Sequence, residues 1–136
     1  MTEENSKFTV AAVQAAPVFF DKDKTLDKAL RLIEEAAEKG AVIIGFPELF
    51  IPGHPDLWYA AKSGNPLRSQ AQLFKQYVKN SVKFPGPETE RLCAAAKKAH
   101  ACIVMGMSEV DTLYPGTIYI SQLFISDKGE LLGVHR

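Results

Sequence analysis

Two hydrophobic patterns alternate at the start of this chain. Residues 8–14 and 41–46 are almost continuously apolar and rich in valine, alanine and isoleucine, which predicts two buried strands. Between them, apolar side chains recur at intervals of four, three and four residues, at Leu26, Leu30, Ile33 and Ala37. That spacing places them on one face of a helix, which we expect to begin near Asp23 and to end at Gly40. The opening therefore predicts a strand–helix–strand unit with parallel strands.

The rest of the chain continues both patterns. Residues 67–80 are predicted to form a helix, and a further helix is expected over 88–99, introduced by a turn that ends at Pro87. The face of helix 67–80 that we expect to pack inward consists of Leu67, Ala71, Phe74 and Val78. Three further strands are predicted over 101–106, 117–125 and 131–136, and we expect them to form an antiparallel set.

These elements predict an α/β fold built on one sheet. The strands over 8–14, 41–46 and 101–106 should be neighbours, because the connections between successive elements are short. Helices 23–39 and 88–99 each carry one apolar face, and both should cover the same outer side of the sheet.

The composition of the sequence changes between Pro47 and Pro66, where prolines, glycines and aromatic residues interrupt the regular hydrophobic patterns. A long irregular segment at the carboxyl end of a strand is where α/β proteins commonly build their sites. Glu48 follows strand 41–46 across a single proline, so its carboxylate is a candidate general base at this rim. The alternative is that Glu48 caps a loop or pairs with a lysine.

Composition excludes several classes of function. Of the 136 residues, 46% are apolar and 24% are charged, as in an ordinary globular domain. The 16 basic and 16 acidic residues cancel, which gives no support to binding of nucleic acid or of a membrane surface. The polar N-terminus lacks a signal-peptide pattern and no apolar run could span a bilayer, so we expect a cytoplasmic protein.

The cysteines and histidines form no recognisable site in the sequence. Cys93 and Cys102 make no CxxC pair, and we expect both to be reduced, small core residues. The three histidines lie far apart, and no His/Cys pair has the spacing of a zinc site. We therefore expect neither a metal nor a cofactor.

Residues 45–56, which contain the run Phe-Pro-Glu-Leu-Phe-Ile-Pro-Gly, closely resemble the segment around the first catalytic residue of the nitrilase superfamily. These enzymes are carbon–nitrogen hydrolases with a Glu-Lys-Cys active site. Weaker matching segments follow in family order at residues 10–17, 84–87, 105–109, 119–124 and 133–136. Residues 51–56, with aromatic residues close behind, look most like true nitrilases, and the amidase and carbamoylase branches are less similar.

The resemblance implies half of the α-β-β-α sandwich of that superfamily. Residues 1–136 would form the N-terminal part of a single nitrilase domain. The family's lysine directly follows a His-Arg pair like His135-Arg136, and its nucleophilic cysteine lies later still. The remainder of the subunit is therefore an expected partner, and a homo-oligomer is expected because nitrilases typically assemble through paired subunits.

The activity implied by the resemblance is hydrolysis of a small-molecule nitrile to a carboxylic acid and ammonia. Glu48 would be the general base that takes the thiol proton, and the reaction would pass through a cysteine thioimidate. An amidase or a cyanide hydratase of the same superfamily is the near alternative. A non-catalytic half-domain that serves as an interaction module is the more distant one. Alone, the chain is expected to be inactive because it lacks the nucleophile.

Four further residues are candidates for substrate binding. Trp58 and Tyr59 are expected to set substrate size, although packing of the loop or a subunit contact is an equal alternative. His54 either faces the pocket or is a solvent-facing loop residue, and His135 either lines the site or is an ordinary strand residue. Ile120 stands where nitrilases usually have asparagine, which puts the local hydrogen-bond network of the family in doubt but leaves Glu48 untouched.

Overall fold

A computed structural model describes residues 7–55 and 70–136. The described elements, in chain order, are β1 (Thr9–Ala12), α1 (Lys22–Glu38), β2 (Ala41–Gly45), α2 (Gln70–Lys79), β3 (Val82–Lys83), α3 (Pro87–Ala99), β4 (Cys102–Val110), β5 (Ile118–Ile125) and β6 (Leu131–His135). Within this part of the chain, no helix is both long enough and apolar enough to cross a membrane.

The described strands form one mixed sheet in the order β1-β2-β4-β5-β6, with β3 paired to β4 outside this path. β1, β2 and β4 are parallel, whereas β4, β5 and β6 form an antiparallel meander. The predicted neighbours and the predicted antiparallel set are both confirmed. The two-residue strand β3, which runs parallel to β4, is too short to leave a periodic pattern and was not predicted.

Helix α1 is bounded by a capping residue at its start and by a glycine after its end. The carboxylate of Asp21 accepts a hydrogen bond of 2.9 Å from the Lys24 N–H and so satisfies a free donor of the first turn. Gly40, with φ of +83°, lets the chain turn back toward β2. The predicted apolar face is confirmed at Leu26 and Ile33, which are almost fully buried.

Helix α3 lies beside α1 on the same side of the sheet, as the sequence predicts. Pro87 occupies its first turn, where its missing N–H is not needed. Two ion pairs join the outer surfaces of the helices, Arg91–Asp27 at 2.6 Å and Lys98–Glu34 at 2.7 Å. The core between the helices and the sheet includes Leu26, Ile33, Ile44, Leu92, Ala96, Ile103, Met105, Met107 and Leu123.

The opposite face of the sheet is open, which corrects the prediction that β1 and β2 are buried strands. Val10 of β1 is 58% exposed and Ile43 of β2 is 40% exposed, and the strand register places them side by side. Ile120 of β5 also lies on this face and is 59% exposed. The reason is that α1 and α3 cover one side of the sheet, and nothing in the described ranges covers these three side chains. We call this surface the open face.

The inward face predicted for α2 is wrong. Phe74 is 37% exposed, and Ala71 is exposed as well. The buried residue is Tyr77, whose ring meets that of Phe20 edge-on at 6.0 Å between centroids. Tyr77 thus brings α2 against the loop that follows β1. Val78, the last residue of the predicted face, is half-buried. Leu67, the first residue of the predicted face, lies outside the described residues.

Candidate active site

The segment that carries Glu48 is hydrogen-bonded to β4 both before and after this residue. The Phe46 N–H donates to the Val104 carbonyl at 2.8 Å. Beyond Glu48, the Ile51 N–H donates to the Gly106 carbonyl at 3.3 Å, and Ile51 in turn accepts from the Ser108 N–H at 2.8 Å. Backbone hydrogen bonds to a single strand therefore fix both ends of the loop.

Between these attachments the chain makes a tight turn that presents Glu48. Leu49 adopts a left-handed conformation with φ of +51°, which is uncommon for a residue with a side chain. Leu49 and Phe50 turn inward and are almost fully buried, and the rings of Phe50 and Phe46 lie 5.1 Å apart. Glu48 is exposed. Burial of its apolar neighbours thus holds the turn, while the carboxylate projects outward.

Gly106 makes room for this turn on the open face. A Cβ atom at this position would lie 2.0 Å from the Pro47 carbonyl oxygen and 2.8 Å from the Glu48 Cα. Gly106 pairs with Gln122 of β5, and Gln122 pairs with His135 of β6. Directly paired residues share a face of the sheet, so Glu48 lies on the same side as the His135 side chain.

A cavity of about 190 Å³ brings these residues together. Its lining consists of Glu48, Gly106, Ile120, Ser121, Gln122 and His135. Of the predicted site residues, Glu48 and His135 therefore share one cavity. His54 is exposed and is not part of this lining. Trp58 and Tyr59 lie outside the described residues.

The chemistry available in this cavity is that of a base without a nucleophile. Its lining offers one carboxylate, one imidazole, an amide and the apolar wall of Ile120, but neither a cysteine nor a lysine. Ser121 is also part of the lining, but its hydroxyl donates to the Glu109 carboxylate. In residues 7–55 and 70–136, no cluster of three or more His, Cys, Asp or Glu side chains could hold a metal ion. The arrangement suits a carboxylate that accepts a proton from a group supplied from above the open face.

Cys93 and Cys102 are free thiols outside the cavity, and both are half-buried. Cys93 packs against the core, where burial and the nearby Glu90 carboxylate raise the pKa of its thiol. Cys102 lies on the open face, opposite Ile43. The expectation of a core position therefore fits Cys93 better than Cys102.

A larger cavity, of about 670 Å³, lies between the outer surfaces of α1 and α3. Its floor is formed by alanines and Leu30, and its rim carries the paired charges of Glu34, Arg91 and Lys98. The described residues that line it include no cysteine, serine or histidine, and the Lys98 ammonium is paired with Glu34, so its size does not make it the better candidate for catalysis.

Sequence reasoning missed a charged cluster on the helix side of the sheet, below the cavity. Glu109 of β4 is 1% exposed, and its carboxylate accepts hydrogen bonds from the Arg136 guanidinium at 2.6 and 3.1 Å. The Ser121 hydroxyl also donates to this carboxylate, at 2.7 Å. An acidic residue inside an otherwise apolar strand was the signal in the sequence, because such a charge is rarely buried without partners. We call Glu109, Ser121 and Arg136 the Glu109 anchor.

Comparison with known proteins identifies the family. The pattern described as Carbon-nitrogen hydrolase matches residues 9–136. An aliphatic nitrilase from Rhodococcus rhodochrous is 40% identical over 136 residues, which is 100% of this chain and 36% of that protein. A cyanide hydratase from Armillaria gallica is 42% identical over 129 residues, 95% of this chain and 34% of that protein. The chain thus spans little more than a third of the length of these relatives.

Solved structures agree on the fold. An amidase from Nesterenkonia sp. AN1, a double mutant in complex with acrylamide, superposes with a TM-score of 0.66 at 18% identity and covers 100% of this chain and 45% of that one. A carbon-nitrogen hydrolase from Helicobacter pylori G27 gives a TM-score of 0.62 at 21% identity, over 93% and 38% of the two chains. The expected α/β fold of the nitrilase superfamily is confirmed, and the chain belongs to the carbon-nitrogen hydrolase family.

Proposed function

We propose that the full-length protein is a nitrilase that hydrolyses a nitrile to a carboxylic acid and ammonia. The observation that carries the proposal is the presentation of Glu48 on a fixed turn over Gly106, beside His135. Relatives that are 40–42% identical over 95–100% of this chain are named as nitrilases or as a cyanide hydratase. Their names favour nitrile chemistry over that of an amidase. Residues 1–136 are the N-terminal part of the domain in this proposal.

The proposed mechanism divides the work between this chain and the rest of the subunit. Glu48 accepts the proton of a cysteine thiol, and the thiolate adds to the nitrile carbon to give a thioimidate. Water then adds to the thioimidate. Loss of ammonia from the tetrahedral intermediate leaves a thioester, which a second water hydrolyses to the acid with release of the thiol, whereas loss of the thiol from the same intermediate releases the amide. The cysteine, and a lysine that stabilises developing charge, come from the remainder of the domain, as the family resemblance implies.

The open face is the surface on which we expect that remainder to pack. Val10, Ile43 and Ile120 lie on it and are each at least 40% exposed. Apolar side chains aligned on one sheet face are typical of a surface that another layer covers. A second layer here would close the cavity above Glu48 and exclude water from it. We further propose that the protein is cytoplasmic and forms a homo-oligomer, in line with its resemblance to nitrilases.

A direct assay of the full-length protein tests the proposal. Purified protein is incubated with a panel of aliphatic and aromatic nitriles and with the corresponding amides, and ammonia, acid and amide are quantified. We expect acid and ammonia in equal amounts from at least one nitrile. Amide as the main product would indicate a hydratase, and turnover of amides alone an amidase. A folded protein without any turnover would contradict an enzymatic role and favour the interaction module.

Trp58 and Tyr59 remain our candidates for setting substrate size, because they follow the Glu48 loop closely in sequence. If Trp58 faces the pocket, Trp58→Ala should shift the nitrile panel toward larger substrates with an unchanged elution volume in size-exclusion chromatography. Tyr114→Ala is the matched control, since Tyr114 is an exposed aromatic residue outside the cavity lining. An unchanged ranking with smaller particles would instead assign Trp58 to a subunit contact.

A further inference from the structure

The end of β6 is held from the side of the sheet opposite the cavity. Glu109 and Ser121 lie on the helix side, because Ser121 pairs with the core residue Met107, two positions from Glu109 along β4. Arg136 reaches this side and makes two hydrogen bonds with the Glu109 carboxylate. His135, the residue before it, pairs with Gln122 on the open face. The last residues of β6 therefore alternate between the two faces.

The Glu109 anchor has the geometry of a rigid attachment. The planar guanidinium of Arg136 meets both carboxylate oxygens, an arrangement that fixes orientation as well as distance. The ring of Tyr119 lies 4.4 Å from the guanidinium carbon, and the Tyr119 hydroxyl donates to Asp111 at 2.8 Å. Contacts with Glu109 and Tyr119 thus restrict the Arg136 side chain.

Glu109 is charged although it is buried. Burial opposes its ionisation, but the hydrogen bonds from Arg136 and Ser121 outweigh that effect and hold the pKa of the carboxyl below its usual value. The attraction within a buried ion pair is largely offset by the cost of removing both charges from water. Such a pair therefore adds little to the stability of the fold, and stability alone is a weak reason for the presence of Glu109. The alternative reason is that the Glu109–Arg136 pair fixes the position of the residues next to Arg136 in β6.

We infer that Glu109 is a positioning residue for the cavity that holds Glu48: by fixing Arg136 behind the sheet, it sets where the residues on either side of Arg136 stand on the open face. His135 is one of them. In the proposed function, the family's lysine would follow Arg136 and would be placed in the same way. The inference rests on the proposed function for its consequence in catalysis, but not for the anchoring itself.

The test uses Glu109→Gln in the full-length protein. Glutamine keeps the shape and can still accept a hydrogen bond from Ser121, but it carries no charge to hold the guanidinium. Arg136 is half exposed, so it gains water when the pair is lost and the variant should fold. We expect kcat per folded active site to fall by about 10- to 100-fold, the scale of a displacement near 1 Å, with KM changed less than kcat.

Two further variants and one control separate positioning from stability. Arg136→Lys keeps the positive charge but cannot make the paired contact, so it should lower kcat in the same way. The double variant should be no slower than the slower single variant, because both remove one attachment. Independent, multiplicative losses would overturn the inference. Asp27→Asn is the control: it breaks an exposed Arg–carboxylate pair, held by one hydrogen bond on the outer helices, and should leave kcat unchanged.

Hydrogen exchange gives a readout that needs no activity. If the anchor fixes the end of β6, Glu109→Gln should raise amide exchange in residues 131–136 while α1 keeps its protection. Unchanged exchange together with unchanged kcat would overturn the inference. If the wild-type protein hydrolyses neither nitriles nor amides, the proposed function fails; exchange alone then decides, with faster exchange supporting the anchor and unchanged exchange rejecting it.

Discussion

Replacement of Glu48 by glutamine in the full-length protein is expected to lower kcat by roughly two to four orders of magnitude, the usual contribution of a general base. The amide is nearly the same size as the carboxylate but cannot take the thiol proton. Because Glu48 is exposed and its buried neighbours hold the turn, the fold should be unaffected. Steady-state kinetics and circular dichroism on the same preparation measure both effects.

Glu38→Gln is the matched control for that experiment. Glu38 is an exposed carboxylate in the last turn of α1 and is not among the residues that line the Glu48 cavity, so its replacement should leave turnover unchanged. If Glu48→Gln kept most of the activity with a normal spectrum, Glu48 would be a structural loop residue and a different base would have to be sought.

Gly106→Ala should be almost as damaging, for a steric reason. The new methyl group would stand 2.0 Å from the Pro47 carbonyl oxygen, which is backbone and can move only if the whole turn moves. Overpacking of this kind costs about 1–3 kcal/mol of unfolding free energy. The displaced turn carries Glu48 with it, so kcat should fall by about 100-fold if the carboxylate moves by about 1 Å. Thermal unfolding and nitrile turnover report the two effects separately.

Gly45→Ala provides the comparison. Gly45 lies on the neighbouring strand β2, and an added Cβ there would meet its nearest heavy atom, the Ala11 carbonyl oxygen, at 3.9 Å. This variant should keep its activity and change stability by less than about 1 kcal/mol. Equal tolerance of alanine at both positions would show that the turn over Gly106 is mobile enough to yield.

Periodicity predicted the elements that have long amphipathic or apolar patterns. The helix around Leu26 and Ile33 and the parallel pairing of β1 with β2 were both accessible in this way. Periodicity could not predict which side of the sheet remains uncovered, because Val10 and Ile43 have the same apolar character as a buried residue. Which face is covered depends on where the helices pack, and that is a property of the tertiary structure.

The site was predicted only in part, because some of its residues meet only through the tertiary structure. Glu48 was found from a local signal, its position directly after a strand, and from the resemblance of its surroundings to a family. Glu109 and Arg136 are 27 positions apart and meet only through the register of β4, β5 and β6. The role of Gly106 depends on a loop that crosses above it. Neither relation leaves a pattern in the order of the residues.

The attachment of the Glu48 turn to β4 uses main-chain groups at both ends, and this has a consequence for sequence variation. Hydrogen bonds at Phe46 and Ile51 do not depend on which side chains lie between them. For the placement of the carboxylate, the number of residues between the two attachments is therefore the strict constraint, while apolar residues of similar volume can replace Leu49 or Phe50. Insertions and deletions in related sequences should accordingly avoid this interval.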